Sequence, residues 1–295
     1  MVASARRLAT GRHAVGGEDV AQLRSDIQRL PVLPESDSPA EANWLAYRRR
    51  FRQDVRTRDP RRFLRWPVMH PMYKRDAPYL GAWFAYLRAR PDWPSRWRLA
   101  LRESAVGDPR PFVEDWSTSG NLVSQAYHAC RFEDVTGVRL SDADVILEFG
   151  GGYGALCRLL FALGFRGSYA IYDFPEFTAL QRFYLRAHGL GSVVTLSTLD
   201  ELDRWLGGSR SGRAAMVALW SLSETPLSLR EAVITRMTAF SDFAFGYQPR
   251  FGEIDNAAWF GALRARIDVD WHDAPLASHA SARHLFGTRR ATPAA

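Results

Sequence analysis

Two carboxylates and three glycines carry the first legible chemistry. Glu148 lies inside Val145-Ile146-Leu147-Glu148-Phe149, an apolar run followed by Gly150, Gly152 and Gly154. Asp173 ends a second short apolar run, Ser168 to Tyr172, and stands nineteen residues past Gly154. Glycines permit positive φ and a close approach of backbone to ligand. A helix opening at Tyr153 would point its free N–H groups at whatever fills the turn. An acid at the tip of the neighbouring strand is then placed to accept hydrogen bonds from ribose hydroxyls. The spacing is G-x-G-x-G rather than the G-x-G-x-x-G of dinucleotide sites, and Glu148 would repel a pyrophosphate. The pattern points to a nucleoside-bearing ligand with a cationic end.

These groups meet only if a parallel sheet aligns the strand ends. From Asp144 onward strands and helices alternate. The strands are Asp144 to Phe149, Ser168 to Asp173, Ser192 to Leu196, Ala214 to Trp220 and Phe243 to Tyr247. Helices fall near Tyr153 to Leu163, Pro175 to His188, Thr198 to Leu206, Pro226 to Phe240 and Glu253 to Arg266. Such alternation predicts a doubly wound α/β sheet. Two last strands, near Ile267 to His272 and Arg283 to Arg289, lie too close for a crossover helix and should form an antiparallel hairpin. Ligands in such sheets bind beyond the carboxyl ends of the strands, where strand order reverses. That rule selects Tyr153, Phe174 beside Asp173, Ser197 after the third strand, Ser221 and Glu224 after the fourth, and Tyr247 at the fifth.

Ahead of the sheet, residues 1–140 read as helical and hold no repeats; residues 141–295 form the ligand-binding domain. The first fifteen or so residues are expected to be mobile, and a short helix spans Val20 to Leu30. Pro31 to Pro39 is a loop, and a helical pattern runs from Ala40 until Pro60 ends it. Phe63 to Tyr73 is apolar and broken by prolines, which suits an irregular lid; His70 in it is either a substrate contact or an ordinary side chain. Helices near Pro78 to Ala89 and Ser95 to Ala105 and a loop over Asp108 to Asp115 follow. Ser119 to Thr136 is the last helix before the sheet, with Gly137 as its C-cap. On it Asn121, Gln125 and His128 share one face, either the wall of a site or a solvated stripe.

At 295 residues the chain has ample core, and 46% hydrophobic residues is ordinary for a globular protein. No run reaches the roughly 18 apolar residues of a membrane span, and residues 1–7 lack the apolar core of a secretory signal. Cys130 and Cys157 are the only cysteines and read as reduced, buried thiols of a cytoplasmic protein. The net charge of +7 is almost wholly arginine, Lys74 being the sole lysine. Biased composition explains that better than a nucleic-acid partner; the densest clusters, Arg48 to Arg50 and Arg61-Arg62, would equally attract an acidic small molecule. No dense carboxylate cluster calls for a metal.

The stretch from Val145 to Gly154, with Asp173, resembles motif I and the ribose-binding acid of the class I S-adenosylmethionine (SAM)-dependent methyltransferases. The resemblance implies SAM as cofactor, its amino-acid end near Glu148, and a sheet closed by an antiparallel hairpin. Closer still, Gln125-Ala126-Tyr127-His128, Arg131-Phe132-Glu133, Leu147 to Gly154, Tyr172 to Phe177 and Ser223-Glu224-Thr225-Pro226 resemble the bacterial sugar O-methyltransferase family. That likeness covers roughly residues 115–250. It implies a small-molecule or glycan acceptor, with the N-terminal region as lid and substrate-binding part.

Methyl transfer to an alcohol needs alignment and a base within reach of the proton. Glu224, after the fourth strand, is the leading candidate, and equally a cap for the helix that starts at Pro226. His128 is second and His272 third. Plant-type O-methyltransferases place a catalytic histidine after the fourth strand, and none occurs here between His188 and His272. Base N-methyltransferases carry an Asn/Asp-Pro-Pro-aromatic run there, where this chain has Ser221 to Pro226. Gln125, His70 and Tyr247 are candidate acceptor contacts. Three readings stay open: sugar O-methylation, O-methylation of another secondary metabolite, and a non-catalytic SAM-fold binding module.

Overall fold

The computed structural model describes residues 15–35, 39–73, 77–208, 212–279 and 281–289. The expected mobility of the first residues falls almost wholly outside them, as do Lys74 and part of the 31–39 loop. Regular structure opens with α1 (Gly17–Gln28), α2 (Pro39–Thr57) and α3 (Leu80–Arg88). A three-residue turn, α4 (Arg98–Ala100), and the long α5 (Gly120–Thr136) complete the helical part. Ser119 caps α5 by accepting from the Leu122 amide, and Gly137 closes it at φ +72°.

The sheet region runs β1 (Val145–Phe149), α6 (Ala155–Ala162), β2 (Ser168–Tyr172), α7 (Pro175–Ala187), β3 (Val194–Leu196) and α8 (Leu199–Leu206). It continues through β4 (Ala214–Leu219), α9 (Leu227–Met237) and β5 (Asp242–Tyr247). A small hairpin, β6 (Arg250–Phe251) and β7 (Ile254–Asp255), leads to α10 (Asn256–Arg266), β8 (Asp270–Pro275) and β9 (Arg283–Thr288).

The seven-stranded sheet has the order β3-β2-β1-β4-β5-β9-β8. β1 to β5 pair in parallel, while β9 runs antiparallel to both β5 and β8. This is the Rossmann-like arrangement with an antiparallel closing hairpin that the sequence predicted. The chain winds outward from β1 to β3 and restarts at β4 on the other side. The reversal point therefore lies between the tips of β1 and β4.

Both faces of β1 are buried, so it can be apolar throughout except for Glu148. Ile146, Ile171, Val217, Ala244 and Phe286 face one layer, which they share with Phe51, Phe63, Trp83, Leu87, Val123 and Phe132 of the helical region. Leu147, Met216, Phe243, Phe245, Tyr247 and Leu285 face the other, under α8, α9 and α10. The helical part thus packs on one sheet face and shares its core.

Two expected helices differ. Over 95–105 a π-turn (Trp93–Trp97) runs into α4 and regular structure then stops. The Glu103 amide pairs with the Ser117 carbonyl, and its carboxylate takes Arg158 and the Ser119 hydroxyl, so tertiary partners replace the helical ones. The helix expected from Glu253 begins at Asn256, because Gly252 (φ +53°) turns the β6–β7 hairpin and Asp255 caps α10 through the Ala258 amide. The closing hairpin extends through Pro275 on the edge strand, where no ladder donor is needed.

Candidate active site

The glycine turn is fixed from both sides of the reversal point. Gly150 has φ +73°, and a β-carbon there would stand 2.2 Å from Cβ of Ser221. Ser221 in turn donates its hydroxyl to the Phe149 carbonyl. The tips of β1 and β4 are thereby clamped, and only a glycine fits between them. Gly152 (φ +59°) turns its amide toward β2, and that N–H donates to Asp173 Oδ2 at 3.0 Å. The Phe174 amide donates to Oδ1 at 2.8 Å, and Gln181 Nε2 donates to Oδ2 at 2.9 Å. Burial pushes the Asp173 carboxyl up to about 7 in spite of these bonds.

Glu148 points into the layer beneath the turn, where its Oε2 accepts from Tyr169 at 2.8 Å. Burial lifts its carboxyl to about 7, against the pull of that hydroxyl. Tyr153 is a strut: its hydroxyl accepts from Asn121 Nδ2 at 2.9 Å, and its ring meets Phe63 and Tyr184 edge-on. Gly154, at φ +94°, is the N-cap of α6. At the tip of β3, Ser197 gives its amide (2.7 Å) and hydroxyl (3.2 Å) to Glu201, whose carboxylate also caps α8.

Phe174 is half-buried under the helical region. The Arg48 guanidinium lies 4.6 Å from its ring centroid and Trp44 5.7 Å away. α2 is anchored there by Arg48 and Arg52, both on the fully buried Glu176 at 2.7 and 2.6 Å. Arg61 and Arg62 pair with Asp59 and Asp108. Much of the arginine cluster is thus spent on internal ion pairs. In the 63–73 segment Met72 packs on the turn: its Cε lies 3.4 Å from where a Gly152 β-carbon would stand, and Tyr47 donates to its Sδ at 3.0 Å. His70, however, faces solvent.

The polar face of α5 turns inward rather than to water. Asn121 and His128 are buried and Gln125 half-buried. His128 Nδ1 meets Nε2 of His284, on β9, at 2.7 Å, with Trp83 and Trp220 packed edge-on to the His128 ring. Burial, with His128 and Arg131 nearby, holds the His284 imidazole well below its usual pKa. Trp220 takes φ +76° at the end of β4, a strained conformation for a bulky residue.

Glu224 ends the 3-10 turn Ser221–Glu224 and is half-buried. The N-cap position of α9 is Pro226, which makes no side-chain bond. The carbonyls on either side of Glu224, Ser223 and Thr225, are both held at 2.7 Å by the buried Arg230 guanidinium. Asn256 joins Arg230 (2.7 Å) and binds the Ser223 and Gln248 carbonyls, so the loop after β4 is rigidly held.

Tyr247 does not reach this wall. Alternation along β5 sends it to the opposite layer, against Phe260 and Asp273. His272 is exposed on the edge strand β8. Sequence reasoning passed over Gln181, Tyr47, Arg230 and His284, and placed Arg48, Met72 and Trp220 only within a cluster, a segment and a strand tip. Of the four missed, only Gln181 gave a local signal, as a polar residue on the inner face of α7.

No protein family and no curated protein matches the sequence. By structure the chain is similar to the methyltransferase domain of bacterial CtHen1, at 13% identity over 58% of this chain and 100% of that one, TM-score 0.42. It is similar to an O-methyltransferase family protein from Burkholderia thailandensis, at 14% identity over 58% of this chain and 59% of that one, TM-score 0.41. Aeropyrum pernix fibrillarin with bound S-adenosyl-L-methionine is similar at 11% identity over 54% and 74%, TM-score 0.40. Likeness this distant carries no assignment of activity.

Proposed function

We propose that this protein is a SAM-dependent O-methyltransferase acting on a hydroxyl of a sugar or glycosylated metabolite. One observation carries the cofactor reading: at the sheet's reversal point the Asp173 carboxylate is bonded to the Gly152 amide, fixing an acid against the glycine turn. A carboxylate offers about four lone-pair sites. Asp173 uses three, for Gly152, Phe174 and Gln181, which leaves room for a ribose hydroxyl. Phe174 would lie along the adenine and Glu148 would set a negative field beneath the cationic end. Bound SAM would supply an activated methyl together with its leaving group.

The residues of this chain would do the rest. Trp220, whose ring packs against His128 and His279, would border the acceptor. Glu224, with both flanking carbonyls pinned by Arg230, would take the acceptor proton. The buried His128–His284 pair favours a second assignment, with His128 as base and the neutral His284 as its partner. Gln125 and the 63–73 segment would border the acceptor, and the helical region would serve as the lid. The same aromatic wall would accept a non-sugar metabolite. No helix among the described residues is long and apolar enough to cross a membrane, and none of their His, Cys, Asp and Glu side chains group as a metal site.

Transfer of labelled methyl from SAM to sugar nucleotides, polysaccharides and phenolic acceptors tests the proposal. Label on oxygen supports it, with the acceptor class choosing between sugar and other metabolite. Label only on amines or thiols overturns the O-directed reading, and a folded protein with no affinity for SAM favours the binding-module alternative.

A further inference from the structure

Gln181 is completely buried on α7, eight residues beyond Asp173. Its Nε2 is bonded twice, to the Gly152 carbonyl at 2.9 Å and to Asp173 Oδ2 at 2.9 Å. Those partners fix the amide's orientation, since turning it over would set Oε1 against two acceptors. Oε1 itself has no hydrogen-bond partner among the described residues. A buried amide carbonyl left unmade is uncommon in folded proteins and calls for a reason.

The reason lies in the stoichiometry of the neighbouring acid. A ribose presents two adjacent hydroxyls, and Asp173, already receiving three hydrogen bonds, has capacity for about one more. The amide that touches both the glycine turn and the acid carries the one acceptor still to be used. We infer that Gln181 Oε1 accepts the second hydroxyl, so that Asp173 and Gln181 together form a two-acceptor clamp specific for an intact vicinal diol. The inference rests on the cofactor reading above and adds to it the discrimination between ribo- and deoxyribonucleosides. Met72 lies against Gly152 and is bonded to Tyr47, which sets a flexible side chain beside the turn.

Calorimetric titration with S-adenosylhomocysteine and its 2′-deoxy and 3′-deoxy analogues provides the test. In the wild type both deoxy analogues should bind about tenfold more weakly than the parent. In Gln181→Met, which keeps the volume and loses the carbonyl, the penalty for one analogue should disappear, that for the hydroxyl on Asp173 should remain, and the parent compound should weaken. Should the methionine variant fail to fold, Gln181→Asn reads the same ratio with the amide withdrawn by one methylene. Every wild-type penalty retained in the variant, or no penalty in the wild type, overturns the Gln181 assignment alone. A folded wild type that binds none of the three compounds removes the cofactor reading and this inference with it.

Discussion

At the residue scale, Asp173 shows how burial and hydrogen bonding oppose one another. Two backbone amides and Gln181 favour its charged form, yet removal from water outweighs them and lifts the carboxyl to about 7. Each charge-assisted bond to a ligand hydroxyl contributes roughly 1.5–3 kcal/mol. Asp173→Ala should therefore weaken SAM binding at least tenfold, as read by calorimetry on a folded variant. Wild-type affinity should also fall as pH drops from about 8 to about 6, because protons then compete for the accepting oxygens. A flat wild-type profile, or unchanged affinity in the variant, removes Asp173 from the site.

At the element scale, the turn after β1 and the loop after β4 are built against each other. Gly150 is confined by its φ of +73° and by Ser221 Cβ, 2.2 Å from any β-carbon placed there. Gly150→Ala meets both obstacles, left-handed strain of about 1–3 kcal/mol and a clash with the neighbouring loop. Denaturant unfolding should show a loss of that order or more. Adding Ser221→Gly removes the clash and leaves the strain, so part of the loss should return. Complete recovery would mean that φ costs nothing here, and no initial loss would mean that the two tips are not clamped.

At the scale of the whole molecule, the buried Glu148 and the half-buried Asp173 make folding sensitive to pH. Glu148 and Asp173 titrate near 7 when folded, both lifted by burial, against about 4 in an unfolded chain. Between about 4 and 7 the folded state therefore holds more protons than the unfolded one. Their contribution to stability is greatest below that window, declines as pH rises through it, and is lost above about 7. Glu148→Gln should flatten the fall in denaturation midpoint between about pH 5 and about pH 7.5 relative to wild type. An identical slope in the two proteins would show that Glu148 is ionised throughout.

The alternation of strands and helices, the glycine turn and the acid at the next strand tip were legible in the sequence, because each depends on residues close together along the chain. The capping of α5 by Ser119 and Gly137 was local in the same sense. Tertiary structure alone decided what surrounds them. Arg48 reaches Glu176 across 128 positions, and His128 reaches His284 across 156. The strand alternation that turns Tyr247 away from the His128 wall depends on which face the helical region covers. Likewise Glu103 leaves a helical pattern for partners at Ser119 and Arg158. Side-chain chemistry names what a residue can do, while the partner it does it with is fixed by packing between segments far apart in the chain.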